Sequence, residues 1–76
     1  MKVLAITKNQ CPRCMQAKDI LGGDARITWI NNETPKAQKL IADLALEART
    51  APVFIIDGSQ VTESMLRVKL MLENSE

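Results

Sequence analysis

The stretch at residues 9–21, NQCPRCMQAKDIL, carries a Cys-x-x-Cys pair at the start of a predicted helix. Proline suits the first helical position, because its missing N–H would have no partner there in any case. We therefore predict that this helix begins at Cys11 or Pro12. Cys11 and Cys14 are the only two cysteines in the chain, so the role of this pair decides how the surrounding sequence is interpreted.

The segments on either side of this helix have the composition of β-strands. Before it, residues 2–7 (KVLAIT) are apolar and rich in β-branched side chains, which predicts a strand buried on both faces of a sheet. After it, LGGD ends the helix, and we expect Gly22 or Gly23 to adopt a left-handed C-cap. Residues 26–31 (RITWIN) then form a second strand, with the single tryptophan, Trp29, in the core.

The second half of the chain contains a helix, a hairpin and a last helix. Thr34 is the predicted N-cap of the second helix, and Pro35 is its first residue. Val53–Ile56, a DGS turn and Gln60–Thr62 form the hairpin, and the last helix covers about residues 63–73. We expect the second helix to place one apolar stripe on the sheet, made of Leu40, Ile41, Leu44, Ala45 and Ala48.

The element order is β-α-β-α-β-β-α, which predicts an α/β fold. Strands that alternate with helices favour right-handed crossovers and a partly parallel sheet, and the hairpin adds an antiparallel part. We therefore expect a single domain, residues 1–76, with a four-stranded mixed sheet and three helices that cover both of its faces. A chain of 76 residues buries only a modest core, so its stability margin is narrow.

Charge and hydropathy exclude several classes of function. The formal net charge is +1, with acids and bases mixed along the chain, so we expect neither nucleic acid nor a membrane surface as a partner. The apolar runs are far too short to span a bilayer. The first residues lack an extended apolar segment followed by a small-residue cleavage site, which predicts a cytoplasmic protein. Nothing in the pattern demands more than a monomer.

The cysteine pair has the position expected of a reactive pair. Cys11 lies at the carboxyl end of the first strand and at a helix N-terminus, where unpaired N–H groups and a partial positive charge favour thiolate over thiol. Lys8 and Arg13 add two cations nearby. We expect Cys11, as the more exposed sulfur, to attack a substrate disulfide. Cys14, one turn further on the same face, then resolves the mixed disulfide.

Two other uses of the pair find less support. A lasting disulfide staple is unusual in the cytoplasm, and here it would close a very short loop. A structural zinc site needs four Cys or His ligands, whereas the chain has one Cys-x-x-Cys and no histidine. The missing histidine also excludes Cys-His and Ser-His-Asp catalysis. We therefore predict thiol–disulfide exchange and no metal ligands.

A second motif, TAPVF at residues 50–54, allows a more specific interpretation. Pro52 can stand only at the first position of a strand, because it cannot donate to the ladder. CPRC and TAPVF together resemble the motifs of the glutaredoxin branch of the thioredoxin-fold family, and the resemblance covers nearly the whole chain. It implies a dithiol oxidoreductase with a thioredoxin fold, no bound cofactor, and a cis proline beside the cysteine pair. The predicted substrate-binding residues are Lys8, Pro12, Arg13, Thr50, Ala51, Pro52, Thr62 and Glu63.

The resemblance leaves the source of electrons open. Where glutaredoxins carry a GG-x-D-D-like stretch that holds glutathione, this chain has QVTESM, and the usual aromatic third residue of the motif is Arg13. Thr62, Glu63 and Ser64 still offer a helix N-terminus to a carboxylate. Related small proteins, which reduce ribonucleotide reductase and are reduced by thioredoxin reductase, carry SGF-x-P, which is also missing here.

We therefore expect two candidate reductants and one class of substrate. Glutathione, as a co-substrate, or a thioredoxin reductase supplies the electrons. The substrate is a disulfide-containing protein, with ribonucleotide reductase as one candidate, and the backbone of Ala51 pairs with it in the manner of an added strand. The alternative is a thioredoxin-fold binding module whose cysteines are vestigial or carry a metal or cluster.

Overall fold

A computed structural model describes residues 1–75 and contains the predicted elements in the predicted order. They are β1 (Val3–Thr7), α1 (Pro12–Leu21), β2 (Ile27–Asn31), α2 (Pro35–Asp43), β3 (Val53–Ile56), β4 (Gln60–Thr62) and α3 (Met65–Asn74). β1 and β2 each begin one residue later than expected, and α3 begins two residues later. Within residues 1–75, no helix combines the length and the apolar character needed to cross a membrane.

The four strands form one mixed sheet in the order β2-β1-β3-β4. β1 lies parallel to β2 and antiparallel to β3, and β3 pairs with β4 in the antiparallel sense. The parallel pair needs a crossover, which contains α1, whereas the hairpin needs only the turn at residues 57–59. This is the thioredoxin-like α/β fold that the sequence predicts. It brings the carboxyl end of β1 beside the amino end of β3.

Each face of the sheet carries its own hydrophobic cluster. Successive side chains of a strand point to opposite faces, so Phe54 joins one cluster and its neighbour Val53 joins the other. The Phe54 cluster includes side chains of α1 and α3, among them Ala17 and Val68. The Val53 cluster includes Ala37 of α2. The prediction that helices cover both faces of the sheet is therefore confirmed.

The place of each strand in the sheet sets its burial. β1 and β3 are central, and almost all of their side chains are buried. β2 lies at the edge, so Trp29 packs against the Phe54 cluster but stays only partly buried. Its ring meets Phe54 edge-on at 6.4 Å between centroids, and Lys18 Nζ lies 5.9 Å from the Trp29 centroid. The prediction of a core tryptophan was wrong in degree, because the edge position leaves part of the ring uncovered.

The end of α1 differs from the prediction. Gly22 caps the helix in a right-handed conformation, with φ −64° and ψ −18°, and its N–H donates to the Lys18 carbonyl at 2.7 Å. Within the described residues, Gly58 is the glycine with a positive φ. The expected left-handed C-cap at Gly22 or Gly23 was therefore wrong. Glycine is needed at position 22 for another reason: the Lys18 carbonyl oxygen lies so close that a Cβ there would collide with it.

The second helix is shorter than the predicted apolar stripe. Its start is confirmed, because the Thr34 hydroxyl accepts the Ala37 N–H at 3.3 Å. The helix then ends at Asp43, and Ala45 takes φ +54°. The Leu46 N–H donates to the Ile41 carbonyl at 2.8 Å, as in a Schellman motif.

Leu46 therefore replaces part of the expected stripe. The left-handed residue Ala45 turns the chain so that Leu46 enters the Val53 cluster, where it is buried. Ala45 and Ala48 are exposed and lie beyond the helix. Their assignment to a helical stripe was wrong, because the 3.6-residue period holds only while the helix continues.

Several apolar helix residues face outward. Met15, Leu66 and Leu70 are more than half exposed, and Ile20 is exposed as well. Met65, Val68 and Leu72 supply the buried face of α3, whereas Leu66 and Leu70 point away from the sheet.

Candidate active site

The cysteine pair forms a disulfide at the N-terminus of α1. Cys11 is the N-cap residue, with φ −114° and ψ 103°, and its Cα lies 5.2 Å from that of Cys14. The Cys14 N–H donates to the Cys11 Sγ at 3.1 Å. Pro12 occupies the first helical position, as predicted, where its missing N–H leaves no donor unpaired. A sulfur acting as N-cap receives a donor that favours its negatively charged form.

Both sulfur-bearing residues are largely covered. Cys11 is 5% exposed and Cys14 is 3% exposed. Cys11 is the more exposed of the two, as expected, but the margin is small because the loop before β3 contacts its sulfur. The order of attack therefore has to rest on helix position: Cys11 is the residue whose side chain meets a free helical N–H, whereas Cys14 lies inside the first turn.

The loop before β3 brings the second predicted motif to the disulfide. The Ala51–Pro52 peptide bond is cis, as the resemblance implies, and Pro52 is fully buried. The Cys11 Sγ lies 3.7 Å from the Ala51 carbonyl oxygen. In the dithiol form, the Cys11 thiol can donate to this oxygen. Residues 40 positions apart in the sequence thus share one site.

Glu63 joins this loop to the cysteine motif. Its carboxylate accepts the Thr50 N–H at 2.8 Å on Oε1, and Arg49 Nη1 lies 3.4 Å from Oε2. Its backbone carbonyl accepts a hydrogen bond from Arg13 Nη2 at 3.2 Å. Arg13 therefore reaches across to the segment before α3. In this disulfide form its hydrogen-bond partner is a carbonyl of that segment.

Thr62 takes part in the geometry of the α3 N-terminus. Its Oγ1 accepts the Ser64 N–H at 3.2 Å, and the Ser64 hydroxyl accepts the Arg67 N–H at 3.1 Å as the helix N-cap. Glu63 lies before the helix and not in its first turn. The α3 N-terminus is thus capped by its own Ser64, which uses one of the donors that a bound carboxylate would need.

Lys8 lies on another side of the cysteine pair. It is exposed and lines an open groove of about 310 Å³ together with Arg49 and Ala51. A second open groove, of about 530 Å³, runs between α1 and α3 and is lined by Arg13 and Glu63. The Arg49–Glu63 pair therefore has one member on each groove.

Two roles in this arrangement were not predicted from the sequence. Arg49, directly before the TAPVF motif, pairs with Glu63. Ser64 caps α3. Ser64 carries a recognisable signal, because serine followed by an apolar periodic run marks an N-cap. Arg49 carries none, since its partner lies 14 positions away on another element.

The described residues contain no group of three or more His, Cys, Asp or Glu side chains placed to hold a metal ion. Comparisons with protein-family models, with curated proteins and with solved structures returned no match. The chemistry of the cysteine pair therefore has to be inferred from the fold and from the geometry of the site. A Cys-x-x-Cys disulfide at a helix N-terminus of a thioredoxin-like fold is suited to thiol–disulfide exchange.

Proposed function

We propose that this chain is a glutaredoxin-like thiol–disulfide oxidoreductase. The observation that carries the proposal is the Cys11–Cys14 disulfide, which caps α1 and faces the Ala51 carbonyl before a cis proline. A helix N-terminus stabilises the thiolate that attack requires. In the adjoining loop, Ala51 offers backbone groups to a substrate strand.

The proposed reaction exchanges one disulfide for another. In the dithiol form, the Cys11 thiolate attacks one sulfur of a substrate disulfide, and the other substrate sulfur leaves as a thiolate that takes up a proton. Cys14 then loses its proton and attacks the Cys11 sulfur of the mixed disulfide. The second substrate sulfur leaves and is protonated, and the Cys11–Cys14 disulfide forms. Two electrons and two protons have moved from the dithiol to the substrate.

A disulfide-containing protein is the proposed substrate, with ribonucleotide reductase as one candidate, in the cytoplasm. The oxidised chain is returned to the dithiol either by two molecules of glutathione or by the dithiol of a thioredoxin reductase. Pro12 and Arg13 border the pair on the helix side, Thr50 with Ala51 borders it on the side of the loop before β3, and Lys8 lines the groove that contains Ala51. No bound cofactor takes part in these steps.

The test follows the oxidised chain with NADPH, once with thioredoxin reductase and once with glutathione plus glutathione reductase. We expect NADPH oxidation with at least one of these systems, and its identity assigns the reductant. Cys11→Ser is expected to abolish turnover. Cys14→Ser is expected to accumulate a mixed disulfide with the substrate, visible as an added mass that dithiothreitol removes. Turnover with neither system, together with Cys11 alkylation kinetics of an ordinary free thiol, would contradict the proposal.

A further inference from the structure

Glu63 lies where the two sides of the disulfide site meet. Its side chain is 33% exposed. Within the described residues, every hydrogen bond to its carboxylate comes from the loop before β3. The groove between α1 and α3 is lined by this residue and by Arg13. A substrate that approaches the disulfide along this groove therefore meets the Glu63 charge.

The Glu63 carboxylate also occupies a hydrogen-bond donor that an anionic group of a substrate would need. The Thr50 N–H is bound to Glu63 Oε1 at 2.8 Å, and the Arg49 guanidinium lies at Oε2. A carboxylate of the substrate would have to displace Glu63 from both groups or accept its repulsion. A neutral or cationic group does not compete with Glu63 for these donors and is not repelled by its carboxylate, although Arg13 on the same groove repels a cation.

We propose that Glu63 is a positioning residue that also shifts the substrate preference of the chain away from disulfides flanked by carboxylates and towards those whose flanking groups are neutral or cationic. The inference rests on the proposed oxidoreductase function. Glu63 acts by holding the Thr50–Arg49 segment beside the cysteine pair and by placing one negative charge on the approach to it. Its carboxylate takes no part in bond exchange.

The test compares three small symmetrical disulfides that differ in charge. Cystamine carries two ammonium groups, hydroxyethyl disulfide is neutral, and dithiodipropionate carries two carboxylates. The reduced chain reacts with each, samples are quenched in acid, and loss of the two thiol protons is followed by mass spectrometry. The measured quantity is the ratio of the dithiodipropionate rate constant to the cystamine rate constant. Hydroxyethyl disulfide reports whether the exchange reaction itself occurs.

Glu63→Gln removes the charge but keeps an oxygen that can accept the Thr50 N–H. We expect this variant to raise the ratio about three- to tenfold, and less at high salt, as one charge near the reacting sulfur should do. Arg49→Gln leaves the Glu63 charge uncompensated and is expected to lower the ratio. Glu73→Gln makes the same change of net charge near the far end of α3, about 12 Å along the helix from its first residue, and is expected to leave the ratio unchanged.

The outcomes separate the two proposals. If the unaltered chain reduces hydroxyethyl disulfide but Glu63→Gln leaves the ratio unchanged, the assignment of Glu63 is wrong and the oxidoreductase stands. An equal rise in Glu63→Gln and Glu73→Gln also overturns the assignment, because it shows an effect of net charge alone. If the unaltered chain reduces none of the three disulfides, the oxidoreductase function itself is contradicted.

Discussion

The Cys11 sulfur receives two opposing influences from its neighbours. The Cys14 N–H at 3.1 Å and the helix N-terminus favour a negative sulfur. The Ala51 carbonyl oxygen at 3.7 Å disfavours it, since an oxygen lone pair accepts from a thiol and repels a thiolate. The N–H is closer and belongs to a helix dipole, so we expect the thiolate form of Cys11 to be favoured over the thiol.

This balance can be measured on the Cys14→Ser variant, in which Cys11 is the single thiol. We expect the rate of Cys11 alkylation by iodoacetamide to reach half of its maximum at a lower pH than the value of about 8.5 at which a free cysteine does so. The rate rises with pH because the thiolate is the reacting form. The control is a Cys11→Ser variant, in which Cys14 is the single thiol, because it gives the alkylation rate of Cys14 by itself. A half-maximum at the free-cysteine value would mean that the Ala51 carbonyl outweighs the helix.

The helices differ in how their ends are built, and α2 has the least favourable end. A Schellman motif calls for a left-handed residue after the C-cap, which glycine adopts without a steric penalty. This chain places Ala45 there, at φ +54°. Ala45 is strained in this conformation, but the same conformation allows Leu46 to be buried in the Val53 cluster. The core therefore decides where the helix ends, at the expense of local backbone energy.

Ala45→Gly should relieve this strain. We expect the free energy of unfolding in urea to rise by about 0.5–1 kcal/mol, because the left-handed conformation costs alanine about 1–2 kcal/mol and glycine's greater freedom in the unfolded chain offsets part of the gain. The matched control is Ala42→Gly, an exposed position within α2. That variant should lose about 1 kcal/mol, since its backbone is helical. Destabilisation by both variants would show that Ala45 is not strained.

Beyond the site, the Arg26 side chain connects distant parts of the chain. Arg26 donates to both carboxylate oxygens of Asp24 and to the carbonyl of Ser75, which follows α3. The loop between α1 and β2 is thereby tied to the end of the last helix. The hydrogen bonds from Arg26 lower the pKa of Asp24 from 3.8 to about 2, so the ionised form of Asp24 is favoured in the folded chain.

Acid should therefore weaken this tie over a defined range. A carboxyl with a lowered folded pKa contributes stability in full above its unfolded pKa and loses it as pH falls through the folded value. We expect the Asp24 contribution to be complete above about pH 4 and to disappear towards pH 2. Urea midpoints of the unaltered chain and of Asp24→Asn, compared at pH 7, 4 and 2, should differ at neutral pH and converge in acid. A constant difference would contradict the assignment.

Local sequence signals were enough to predict most of the elements. Within a helix, Pro12 and Pro35 are suited only to the first turn. Thr34 is a strong N-cap, and the DGS turn supplies Asp57 and Gly58, both with positive φ. These signals act within a few residues of one another, so they can be recognised from the sequence alone. The cysteine pair at a helix start is of the same kind, and the cis Ala51–Pro52 bond came from the resemblance.

The contacts between elements could not be obtained in this way. Glu63 binds groups that lie 13 and 14 positions before it and one that lies 50 positions before it. The covering of Cys11 by the loop at Ala51, the partial exposure of Trp29 on an edge strand, and the end of α2 before Ala45 have the same origin. Each depends on which segments meet when the sheet assembles, because burial and long-range hydrogen bonds outweigh local preference once the chain is packed.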